Sequence, residues 1–123
     1  MTAEYYGPTV KAAQEASRLL ALDSNGQEQD WEIELADPNK IDGMLDVLEM
    51  QQFSQDVKAA LCLLVLASFE SGFNVGDVDA SRMRRATDFL FKDVVVLAQM
   101  RFYWLGLGLT DHVNLMKKLL SAK

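Results

Sequence analysis

One histidine, one cysteine and two clusters of charge are the residues in this chain whose types could do chemistry. Histidine is the usual general base near neutral pH. His112 falls in the first turn of the last helix the sequence predicts, where the positive end of the dipole disfavours its charged form. No serine or cysteine signature lies beside it, so it reads as a surface histidine. Cys62 sits within nine apolar residues, Ala59 to Ala67. A reactive thiol needs exposure and an electropositive neighbourhood, so this one reads as a buried, inert hydrophobe. One cysteine allows no internal disulfide, which fits a reducing compartment. One His and one Cys exclude the usual zinc sets. No Asp-x-Asp-x-Asp-Gly calcium loop and no Glu-x-x-His pair is present. Gly106-Leu107-Gly108 reads as a helix stop rather than a phosphate loop. The expectation is a protein with no catalytic residue, metal or cofactor.

The charges are more informative. Net charge is −6, but its distribution is uneven. Between Asp23 and Asp56 ten carboxylates face one base, Lys40, whereas residues 57–123 carry nine bases against six acids. Like charges repel, so the acidic third needs water, counterions or a basic partner around it. Its carboxylates fall into two one-sided sets. Asp30, Glu32 and Glu34 alternate with Trp31, Ile33 and Leu35, which predicts an extended segment near 31–35 with the acids on one side. Asp42, Asp46 and Glu49 share one face of the next helix, about 100° from the apolar stripe Ile41, Met44, Leu45 and Leu48. These six are the candidate partner-binding residues. Arg82, Arg84 and Arg85 form the dense basic patch. In a net acidic chain without interleaved aromatics it argues against nucleic acid. It is expected to pair with the acidic segment, internally or across an interface. Arg101, Tyr103 and Trp104 are candidate core residues with an interface alternative, since Arg, Tyr and Trp also dominate interface hot spots.

Helices position these residues. Gly7-Pro8 predicts a first helix to about Leu22, with Val10, Ala13, Ala16 and Leu20 inward. Asp37-Pro38 begins the helix through Leu48, and Gln51-Gln52-Phe53 closes it. Ser54 caps a helix over about 55–71 that is apolar on every side in its middle, which requires neighbours all round. Gly72 and Asn74-Val75-Gly76-Asp77 end it. Asp79 caps a helix carrying the arginines, a break follows at Lys92-Asp93, and another helix runs from Val94 to about Leu105. Thr110 or Asp111 caps the last, with Val113, Met116, Leu119 and Leu120 inward and Lys117, Lys118 and Lys123 near its C-terminus. The expected fold is all-α: one domain over residues 1–123, a bundle of five or six helices around the helix at 55–71. Both long apolar stretches fall short of the ~20 residues a membrane span needs. With no signal-peptide pattern at the start, a soluble cytoplasmic protein is expected.

Asp30-Trp31-Glu32, Ala36-Asp37-Pro38 with Ile41, Ala60-Leu61-Leu64 with Ser68-Phe69, and Tyr103-Trp104 together resemble small stand-alone helical proteins of bacteria, among which toxin-immunity proteins occur. The resemblance covers about residues 30–105 and brings no catalytic motif with it. Two roles remain open. One is a small acidic binding protein that neutralises or regulates a basic protein partner. The other is a homodimer in which residues 23–56 of one copy face 82–85 of the other.

Overall fold

A computed structural model of the chain describes residues 4–27, 30–50, 53–74, 76 and 79–121. Glu28, Gln51, Gln52, Val75, Asp77 and Lys123, all of which enter the sequence reading, lie outside the described residues. The fold is all-helical, with no strand among the described residues. Among the described residues seven α-helices follow in order: α1 Val10–Leu19, α2 Trp31–Glu34, α3 Ile41–Met50, α4 Gln55–Asn74, α5 Ala80–Phe91, α6 Val94–Arg101 and α7 Val113–Leu120. A 3-10 turn, Pro38–Lys40, leads into α3, and a π turn, Phe102–Gly106, prolongs α6. No helix among the described residues is long and apolar enough to cross a membrane.

Helix starts follow local chemistry. The Asp37 side chain accepts from the Asn39 N–H, Asp79 from Arg82 and Asp93 from Val96. Ser54 accepts from Val57 at the start of α4. Each cap satisfies a backbone donor that the first helical turn leaves free. Residues 59–69 of α4 are buried without interruption. That helix packs against α1, α2, the 3-10 turn, α3 and α6. Buried Ser68 on α4 accepts the Asp37 N–H, which fixes the entry to α3 against it.

Three expectations are corrected. The segment at 31–35 is a helical turn, not extended. An isolated strand leaves its ladder unpaired, whereas this turn closes its own bonds: the Ile33 and Glu34 N–H groups reach the Asp30 carbonyl and Leu35 reaches Trp31. The helical period therefore buries Trp31 with Glu32 and turns Ile33 out, 63% exposed. Helix α1 starts after Thr9, which caps it through Ala12, and ends at Leu19. It buries the small residues Ala12, Ala13, Ala16 and Ser17 and leaves Val10 at the rim, 50% exposed. Small side chains allow close helix approach, so they and not Val10 take the inner face. On α7, His112 is the N-cap residue and makes no side-chain cap bond. Val113 is exposed, and Leu115 joins Met116, Leu119 and Leu120 inside.

Candidate partner-binding surface

On α3, Asp42, Asp46 and Glu49 lie four and three residues apart and so share a face. On α5, Arg82 and Arg85 do the same, and the two faces meet. Arg85 Nη2 is 2.6 Å from Asp46 Oδ1 and 2.7 Å from Glu49 Oε1. Its Nη1 lies 3.7 Å from Asp42 Oδ1, and Arg82 Nε donates to Asp42 Oδ2 at 3.1 Å. The hydrogen bonds it donates to the Glu49 and Asp46 carboxylates hold the Arg85 guanidinium protonated still more firmly than usual. Two guanidiniums thus relieve the mutual repulsion of three carboxylates. Arg84, between them in sequence, points to solvent. Two of the three arginines meet the acidic segment within the chain.

The other acidic set is split. Glu32 is only 6% exposed and accepts a hydrogen bond from the Tyr103 hydroxyl. The π turn delivers Tyr103: the Leu107 N–H bonds back to the Phe102 carbonyl, five residues earlier. Burial, then the bond to Glu32, raises the Tyr103 phenol above its ordinary range. The Tyr5 ring lies 5.9 Å from that of Tyr103, and the Tyr5 hydroxyl is buried without a hydrogen bond among the described residues. Burial raises that phenol as well. The Trp31 indole N–H donates to Ser17 Oγ at 3.0 Å, tying α2 to α1. Asp30 and Glu34, by contrast, are exposed and make no ion pair among the described residues. Beside them Ile33 is exposed, and so is Tyr6 at 69%. A cavity of about 160 Å³ opens here, lined by Tyr6, Trp31, Glu32 and Tyr103 and by the backbone at Gly7 and Gly26.

Arg101, a candidate for core or interface, has no carboxylate partner among the described residues. It is half-buried and instead donates to the Leu120 carbonyl at the C-terminus of α7, with its guanidinium over the Phe91 ring. A helix C-terminus carries partial negative charge, so the carbonyl serves. Tyr103 and Trp104 are buried in the chain's own core. The Cys62 thiol is buried and its pKa is pushed up to about 12 by desolvation. The His112 ring lies tilted against that of Phe73, with centroids 4.7 Å apart, and meets the Asn74 side chain. Among the described residues no three His, Cys, Asp or Glu side chains gather as metal ligands would.

Sequence reasoning missed the burial of Glu32 and its bond to Tyr103, 71 residues away. Nothing local signals it. The alternation that suggested a wet acidic side is the same pattern a helical turn cuts in half. No family model, curated protein or solved structure matches the chain.

Proposed function

We propose that the chain is a small acidic, non-enzymatic binding protein that holds a basic protein partner in the cytoplasm, as an immunity-type protein would. Its framework on this reading is a single-domain bundle built around α4. The observation that carries it is the difference between the two acidic sets. Asp42, Asp46 and Glu49 are already answered by Arg82 and Arg85 in the same chain. Asp30 and Glu34 are exposed without an ion pair among the described residues, and they flank exposed Ile33 on the short turn whose Trp31 and Glu32 line the cavity. Unneutralised charge around an apolar contact is what speeds and orients association with a basic surface. Reversing Asp42, Asp46 and Glu49 is a poor test, because it would set three lysines against two arginines and break the contact of α3 with α5.

The discriminating variant is Asp30→Lys with Glu34→Lys. Affinity capture from the native host, followed by mass spectrometry, is expected to recover a basic protein with the wild type. Recovery should fall with added salt and vanish with the double variant. Equal recovery by the double variant rejects the reading. A second reading draws on the α3–α5 pairs: a homodimer in which residues 23–56 of one copy exchange them with 82–85 of the other. A light-scattering mass at the monomer value, at low salt and high concentration, removes it.

A further inference from the structure

We propose that the cavity between α1, α2 and the π turn receives one alkylammonium group, the side chain of a lysine on the basic partner. The inference rests on the binding reading above and names the chemistry its surface would recognise. The walls select charge. Glu32 supplies a carboxylate, and among the described residues no Lys, Arg or His lines the cavity. Tyr6, Trp31 and Tyr103 supply aromatic rings, whose electron-rich faces attract a cation and tolerate its methylenes. An anion would meet the Glu32 charge. A neutral apolar group would strip water from a buried carboxylate and give it no donor in return.

Glu32 has capacity to spare. A carboxylate accepts at about four lone-pair positions. Among the described residues Glu32 receives one hydrogen bond, from Tyr103 to Oε2. An ammonium group brings three donors and no acceptor. The size also fits: 160 Å³ is about five water volumes at ~30 Å³ each, enough for an ammonium head and the methylenes behind it. The walls are fixed by backbone. Gly26 has φ +77°, and a Cβ there would lie 2.6 Å from the Gln14 amide nitrogen, so only glycine lets this loop close against α1. Exposed Asp30 and Glu34 on the same short helical turn would draw a lysine toward the opening.

One ammonium on one carboxylate in a partly aqueous cavity binds weakly alone, in the millimolar range. Its role is therefore an anchor within a larger contact. The probe is Nα-acetyl-lysine methylamide, titrated into the full chain and followed by NMR at the Trp31 indole N–H. The norleucine counterpart, of the same length without the ammonium, is the control. A saturable shift with the lysine probe and none with norleucine is expected. Glu32→Gln, which keeps an acceptor for Tyr103, should weaken the lysine response about tenfold or more. Tyr103→Phe, which keeps the ring and frees the carboxylate, should retain it. Equal responses to lysine and norleucine, no response to either, or wild-type lysine binding by Glu32→Gln each overturn the proposal. Should Glu32→Gln fail to fold, the lysine–norleucine contrast in the wild type still decides. Lysine binding in the absence of any captured basic protein would reject the partner reading and keep the site. Charge-dependent capture without lysine binding would do the reverse.

Discussion

Asp93 shows how much one side chain can hold. It caps α6 through the Val96 N–H, and its other oxygen lies 2.7 Å from the Lys58 ammonium on α4. Both side chains are more than four-fifths buried, and Lys58 also lies over the Phe89 ring. Burial alone would raise the Asp93 pKa. The Lys58 hydrogen bond and the N–H groups of Val96 and Val95 outweigh it, so the carboxyl titrates below its ordinary value. The sign follows. A group with a depressed folded pKa adds stability above its unfolded value, about 3.9 for Asp, and loses it as pH falls through the folded value. Asp93→Ala should cost about 2–4 kcal/mol at pH 7 in urea denaturation, since it removes a cap and strands a mostly buried ammonium. Asp93→Asn keeps the cap and should cost less. Its deficit against wild type should be constant at neutral pH and shrink below about pH 4. A deficit that grows on acidification would contradict this account. The break at Lys92-Asp93 was legible in the sequence. The partner, 35 residues earlier on another helix, was not.

Between elements, the α3–α5 lattice sets what the acidic third can do. Each pair is half-exposed, so each alone contributes only ~0.2–1 kcal/mol. Arg85 serves three carboxylates at once, and its loss leaves Asp46 and Glu49 without an ion pair among the described residues while Asp42 keeps Arg82. Arg85→Ala is therefore expected to destabilise by roughly 1–2 kcal/mol at low salt, with the difference narrowing in about 1 M salt as screening shortens to ~3 Å. Arg84→Ala, at the exposed position between, should change stability little in the same denaturation series. Equal losses for the two would deny the lattice its role. The caps at Asp37, Ser54 and Asp79 were readable because a cap involves residues two or three apart. The turn at 31–35 was misread for a related reason. Alternation over five residues supports a strand only where another strand accepts its bonds, and here a helical turn accepts them locally.

Across the whole molecule, α4 joins the N-terminal and C-terminal helices: its buried run packs on α1, α2 and α3 on one hand and α6 on the other. Trp31 and Trp104 are both buried, one in each half of the chain. If the chain folds as one cooperative unit, tryptophan fluorescence and far-UV circular dichroism should give coincident urea transitions, in wild type and in Trp31→Phe, which reports Trp104 alone. Separated midpoints would divide the chain into two units. The sequence by itself determined the helical class, most helix starts, the solvent-free middle of α4 and the burial of Cys62. These depend on the helical period and on contacts within about four residues, which the order of residues already contains. The tertiary structure alone decided which carboxylates are answered, which is buried and which face water. Asp42, Asp46 and Glu49 find arginines about 40 residues away, and Glu32 finds Tyr103 71 residues away. Such pairs exist only once helices distant in sequence are packed side by side. A count of charges fixes how many must be accommodated, and packing fixes where.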